Sequence, residues 1–302
     1  MLTIISPVTG KNNVELIKEI SLDVLVGFYK KKFNIDVKNF FPNNGKLYLY
    51  KCIESGYRFF YPSVEGDGNF YAQLQNYPWY YSDWKWENET ALKFIKNGDK
   101  VLDVGSAKGS FIKHLMSNGN NVIGLETNSR AAAEARLSGV NVYEEHLDIF
   151  VKRGINDFDV VCFFQVLEHI YDVKQTIEDT LTVLKTGGKL IISVPNNSSF
   201  IGLDKEGYLN MPPHHAGLWD EKSLVSLTKI FGIKLISLEF EPLQKYHFNY
   251  YFNIKIGYFI QEKFGVLGKI FNRAIVLILT PLFILFRNKI KGHTILAVYQ
   301  KL

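Results

Sequence analysis

The stretch Val101-Leu102-Asp103-Val104-Gly105-Ser106-Ala107-Lys108-Gly109 limits the fold more than any other part of the chain. An apolar, β-branched run ends in an acid and a glycine turn, and Phe111, Ile112 and Leu115 then recur at helical spacing. The pattern predicts a strand, a tight loop and a helix, the unit that forms the mouth of a nucleotide-type cofactor site. Asp103 narrows the ligand, because a carboxylate at the strand end repels a pyrophosphate and attracts a cationic tail. Ala107 stands where the dinucleotide fingerprint G-x-G-x-x-G has its middle glycine, which argues against a nicotinamide cofactor and an NAD-dependent oxidoreductase.

The surrounding pattern supports an α/β fold. Strands are predicted at Lys100–Val104, Asn121–Glu126, Asn141–Tyr143, Phe158–Gln165, Lys189–Val194, Lys234–Glu241 and His293–Gln300. Helices are predicted at Ser110–Ser117, Ser129–Ser138, Val173–Leu184 and Glu221–Phe231. Such alternation implies a doubly wound, Rossmann-like, mostly parallel sheet with helices on both faces. Glu126 ends the second strand, 21 positions after Gly105, where an acid accepts hydrogen bonds from a ribose cis-diol. Asp148 follows the third strand, placed to accept from an adenine amino group. Asp103, the glycine loop and Glu126 together favour S-adenosylmethionine, whose tail carries an ammonium and a sulfonium.

Later motifs add a family resemblance. Phe163-Phe164-Gln165-Val166-Leu167-Glu168-His169 is followed by Leu184-Lys185-Thr186-Gly187-Gly188-Lys189-Leu190-Ile191-Ile192-Ser193-Val194-Pro195-Asn196. With Asp103 and Glu126 these segments resemble class I S-adenosylmethionine-dependent methyltransferases, in the subgroup of ubiquinone-type and of sugar or small-molecule O-methyltransferases. The resemblance covers about residues 85–242 and the last strand. It implies a seven-stranded sheet whose last strand is antiparallel and inserted. It also implies cofactor contacts at Asp103, Gly105, Ser106, Gly109, Glu126, Asp148 and Gln165.

Candidate chemistry lies beyond the strand ends. Glu168 and His169 follow the fourth strand of the alternating region, and either face the substrate or cap the next helix. In some relatives such a Glu-His pair helps hold a divalent metal. No second carboxylate adjoins it here, so no metal is expected. Met211-Pro212-Pro213-His214-His215 forms a stiff segment in which His214 or His215 is the candidate general base, with a structural histidine bonded to a loop carbonyl as the alternative. Asp220 reads as the cap of the following helix. Tyr80 and Tyr81, in the aromatic run from Phe70 to Trp86, would cross the cofactor mouth as a lid.

Two regions flank this core. Residues 1–90 form an aromatic-rich extension, with helical spacing from Val14 to Phe33 and a strand-like piece at Lys46–Tyr50. Ser6-Pro7-Val8-Thr9-Gly10 and Cys52-Ile53-Glu54-Ser55-Gly56 have the rhythm of zinc knuckles, but Ser6, Thr9 and Ser55 stand at three of the four ligand positions. A ribbon that has lost its metal is expected, with coincidence of two glycine turns as the alternative. Within the remaining domain, 91–302, residues 243–292 form an insert before the last strand. That insert carries eight basic residues and one acid, a net +7, so the other residues total −2 of the overall +5. The basic pI therefore gives no argument for a nucleic-acid partner. Ala274–Phe286 is apolar apart from Thr280 and Pro281 and too short to span a bilayer. A cationic interfacial helix on the cytoplasmic membrane face and a helical pair packed on protein, including a homodimer interface, both remain open. Two cysteines and an N-terminus without signal-peptide features lead us to expect a reducing cytoplasm. The expected function is methyl transfer to a small polar acceptor, a hydroxyl of a sugar or related metabolite in surface-polysaccharide or secondary-metabolite biosynthesis. The alternative is a membrane-surface scaffold with vestigial catalysis.

Overall fold

A computed structural model describes residues 3–41, 45–77, 80, 84–204, 207–257, 263–264, 276, 278–281 and 283–302. Its strands are β1 Val14–Ser21, β2 Lys46–Cys52, β3 Arg58–Tyr61, β4 Lys100–Val104, β5 Asn121–Leu125, β6 Val142–Tyr143, β7 Phe158–Phe164, β8 Leu184–Pro195, β9 Gly217–Leu218, β10 Ile233–Pro242 and β11 Lys291–Lys301. Its helices are α1 Leu22–Phe33, α2 Gly68–Leu74, α3 Trp86–Ala91, α4 Ser110–Ser117, α5 Ser129–Leu137, α6 Leu147–Val151, α7 Val173–Val183, α8 Glu221–Phe231 and α9 Phe248–Phe252.

Seven strands form one sheet in the order β10-β11-β8-β7-β4-β5-β6. β11 runs antiparallel to both β8 and β10, and the pairs among β4 to β8 are parallel. The Rossmann-like mixed sheet and the inserted antiparallel last strand are therefore present. Strand side chains alternate between two cores, as a period of two requires. Leu102, Val161, Phe163, Leu190, Ile192 and Tyr299 face α6, α7 and α8, while Val101, Val160, Cys162, Ile191 and Leu296 face α4 and α5. Helix starts follow their caps: the Asn128, Asp172 and Asp220 side chains accept from backbone N–H groups three residues on.

The extension departs from the sequence reading at Val14–Phe33. Only Leu22–Phe33 is helical, and Val14–Ser21 is a strand paired with β2. Glu15 sits opposite Lys51 and binds it at 2.8 Å, and Glu19 pairs with Lys46. Partners 30 residues away thus decide a segment whose local spacing fits a helix. β1, β2 and β3 form an antiparallel sheet that β9, from beyond residue 200, completes through Arg58↔Leu218 and Phe59↔Gly217. One face of this small sheet covers α1 and α2 through Leu47, Leu49, Phe60 and Leu218. The other sends Tyr57 and Phe59, with Trp219, into the main core.

Candidate active site

The glycine loop is built by backbone bonds that leave its mouth open. Gly105 and Ser106 both donate their N–H to the Leu125 carbonyl at 2.8 and 2.9 Å, tying the end of β4 to β5. Gly105 has φ +76°, and a Cβ there would meet Val166 Cγ2 at 2.4 Å, so both conformation and space require glycine. Glu126 accepts from Ala107 N at 2.9 Å and Asn128 N at 2.7 Å, so its carboxylate organises the loop. Gly109 starts α4 with φ +77°.

Asp103 is 3% exposed, and no basic side chain pairs with it among the described residues. Burial first, then the nearby Glu126 charge, pushes its carboxyl up to about 8. Burial also raises Glu126, opposed by the N–H groups it accepts. Ser106 Oγ is buried without a partner in the chain, and Gln165, whose side chain meets the buried Glu87 carboxyl, has φ +56°. A buried acid lacking a cation, a close-approach glycine and an unpaired hydroxyl fit a ligand with a cationic amino-acid tail. Asp148 lies in the first turn of α6, exposed and 3.9 Å from Lys152 Nζ.

The segment after β7 leads from this cradle to a cluster of imidazoles. Val166 packs on Gly105, and three residues on His169 meets His214 and His215, with ring centroids 4.8 and 4.9 Å away. His214 and His215 stack at 4.4 Å. One ring nitrogen of each of the three lies within 4.8 Å of the others. His169 Nδ1 donates to the His214 carbonyl, His214 Nδ1 to the Leu209 carbonyl at 2.8 Å, and His215 Nδ1 to Asn210 Oδ1 at 2.9 Å. Each acceptor is an oxygen without a proton, so each Nδ1 donates and leaves the His214 and His215 Nε2 with a lone pair, while the His169 ring also meets the Gln165 carbonyl. Tyr80 Oη donates to His214 Nε2 at 3.0 Å. Burial holds all three imidazoles below the usual histidine range, His169 at about 4 and His214 at about 3.

Glu168, 1% exposed, is the acid of the cluster. Its carbonyl accepts from Ala216 N at 2.8 Å and Gly217 N at 3.2 Å, which fixes β9 and the histidine segment against it. Its Oε1 is 3.9 Å from His169 Nε2, and its Oε2 is buried without a partner. Burial is the main reason its carboxyl is pushed up to about 8. The residues expected to hold the cofactor and the catalytic candidates thus stand at one end of the sheet. Tyr81 lies outside the described residues.

Local patterns did not reveal several further groups at that end. Tyr71 Oη lies 3.3 Å from His169 Nδ1. Asn210 Nδ2 binds Asn197 Oδ1 at 2.6 Å, and Asn197 Nδ2 in turn donates to the Pro195 and Trp219 carbonyls. His247 and His293 stack at 5.1 Å, and Glu241, held at about 7 mainly by burial, accepts from Thr294 N at 3.0 Å. An insert residue and two strand-end residues carry no motif of their own. Only the topology, with β11 antiparallel beside β8, brings His293 to this edge.

Comparison with known proteins agrees with this architecture. Residues 81–238 match the methyltransferase domain family, and the chain belongs to that family, whose methyl donor is S-adenosylmethionine. A ubiquinone biosynthesis O-methyltransferase from Erwinia tasmaniensis is 34% identical over 112 residues, 34% of this chain and 44% of that protein. One from Cronobacter sakazakii is 29% identical over 145 residues, 45% of this chain and 59% of that protein. The chain therefore spans less than two thirds of these relatives' length. A solved SAM-dependent methyltransferase from Archaeoglobus fulgidus shares the fold at a TM-score of 0.50, with 16% identity over 71% of this chain and 92% of that one.

Proposed function

We propose that this chain transfers a methyl group from S-adenosylmethionine to a hydroxyl of a small polar acceptor, a sugar or a related metabolite. The observation that carries the reading is the single segment after β7, which touches the glycine loop at Val166 and enters the imidazole cluster at His169. That continuity supports a reading in which the methyl donor and a proton acceptor work side by side.

When bound, S-adenosylmethionine supplies an electrophilic methyl on a sulfonium. Asp103 holds its ammonium, Glu126 its ribose hydroxyls, and Gly105 admits its chain. What the protein must add is alignment of the acceptor and a place for the hydroxyl proton. Burial keeps the His215 and His169 imidazoles uncharged at neutral pH. Either accepts that proton, with the Glu168 carboxyl next to His169. Tyr80 and Tyr71 stand over the same histidines and offer flat faces for a sugar ring.

Buried polar atoms near the ends of β7 and β8 support a polar acceptor: Asn196 Nδ2, Ser199 Oγ, Ser193 Oγ and Glu168 Oε2 have no partner in the chain. The O-methyltransferase names of the relatives support oxygen as the methylated atom. Calorimetry with S-adenosylhomocysteine and NAD is the direct test, with tight binding of the former alone expected. Failure to bind S-adenosylhomocysteine overturns the reading. Turnover of catechols with none of nucleotide sugars overturns the acceptor class.

A further inference from the structure

The tautomers of the three histidines point beyond proton transfer. Metal-ligating histidines characteristically donate their second ring N–H to a carbonyl or carboxylate, which fixes the ring and directs the free lone pair. All three members of this cluster do so, through the His214 carbonyl, the Leu209 carbonyl and Asn210 Oδ1. The Asn210 amide is not free to flip. Asn197 Nδ2 is committed to two carbonyls, so Asn197 Oδ1 must accept from Asn210 Nδ2, which leaves Asn210 Oδ1 facing His215. A chain of four groups from the backbone thus sets the His215 tautomer.

We propose that His169, His214 and His215 bind one divalent transition-metal ion, zinc being the best match, through their Nε2 atoms. Three neutral imidazoles suit zinc, and three protein ligands with an open fourth corner are the pattern of a catalytic rather than a structural site. Ligand nitrogens on a tetrahedral ion lie about 3.3 Å apart. One ring nitrogen of each histidine already lies within 4.8 Å of the others, and metal binding would turn the rings until the three Nε2 atoms reach that closer spacing. Tyr80 gives up the His214 lone pair to the ion. Glu168, with Oε1 3.9 Å from His169 Nε2 and Oε2 unpartnered, is the carboxyl beside the site. The sequence argument against a metal was the missing second carboxylate, but the fold supplies imidazoles from 45 residues further along. For the proposed methyl transfer the ion would take the acceptor hydroxyl at its open corner and lower its pKa. That role rests on the methyltransferase reading, whereas the binding itself does not.

The test uses the full chain, stripped with a chelator and titrated with Co²⁺ by visible absorption, then with Zn²⁺ in competition. One equivalent is expected, in a low-symmetry nitrogen and oxygen field. His215→Ala and His169→Ala should each abolish stoichiometric binding. Asn210→Ala keeps all three imidazoles and should weaken binding about tenfold or more. His146→Ala and Cys52→Ser should leave it unchanged. Substoichiometric Co²⁺, or equal affinity in His215→Ala, overturns the site. S-adenosylhomocysteine calorimetry on the same samples separates the two claims. Binding of that ligand without Co²⁺ sinks only the metal, and Co²⁺ without that ligand sinks only the methyltransferase reading.

Discussion

Asp103 shows how one residue ties cofactor choice to pH. Its carboxyl is normal in the unfolded chain, near 3.8, and is pushed up to about 8 by burial in the folded one. Between those values the folded state holds a proton that the unfolded state has released, so this group's contribution to stability falls as pH rises across the window. A bound ammonium reverses the preference and favours the carboxylate. We expect affinity for S-adenosylhomocysteine to rise from about pH 6 to about pH 8, with proton release shown by buffer-dependent heats in calorimetry. Asp103→Asn should flatten that slope and weaken binding about 10- to 100-fold, the worth of a charged hydrogen bond. An unchanged slope in the variant would remove Asp103 from the ammonium site. At this scale the sequence was legible where spacing along the chain is the geometry, as for Asp103, Gly105 and Glu126. It was silent on the imidazole cluster, because His169 and His214 are neighbours only after folding.

Single elements carry two further consequences. The knuckle-like turns do meet: Thr9 Oγ1 is 3.8 Å from Cys52 Sγ, and the Ser6 and Ser55 hydroxyls also bond that thiol. Burial, which raises the thiol, is outweighed by these bonds. The hydroxyls of Ser6, Thr9 and Ser55 thus surround the Cys52 thiol. Ser6→Cys/Thr9→Cys/Ser55→Cys should bind one Cd²⁺ with a thiolate charge-transfer band that the parent lacks. No such band would mean that the turns only resemble knuckles. β9 is the second case. A Cβ on Gly217 would lie 1.7 Å from Tyr57 Oη, so Gly217→Ala must push β9 off β3. We expect a loss of about 1–3 kcal/mol in urea unfolding, since overpacking costs that much. Wild-type stability in this variant would contradict the tight packing of Tyr57. Element boundaries were readable in the sheet core, where caps and glycines mark them. β1 was not, since its pairing partner, and not its own pattern, selects the strand.

The whole molecule unites segments that the sequence places far apart. Val8, Tyr57 and Phe59 share a core with Val161, Ile192 and Trp219. We therefore expect one cooperative melting transition, with calorimetric and van't Hoff enthalpies equal. Two separated transitions would show that the extension folds by itself. The insert is less informative. Its described part packs Leu243, Phe248 and Ile254 on Phe200 and Ile201, while Ile278 and Leu285 are 74% exposed. Among the described residues no helix is long and apolar enough to cross a membrane. Within the apolar run Ala274–Phe286, residues 274, 275, 277 and 282 lie outside the described residues, as does its immediate upstream flank, 265–273.

The shared strand β9 limits how such an enzyme can be re-engineered. Swapping the extension between relatives as a cassette would join β3 of one protein to β9 of another. The same two-residue strand is bonded to Glu168 and follows directly on the histidines. A graft intended to change only the extension would therefore shift Glu168 and the histidine segment. Recombination should succeed only when residues 1–77 and 197–219 are exchanged as a pair, so the chain's two distant pieces form one unit of inheritance.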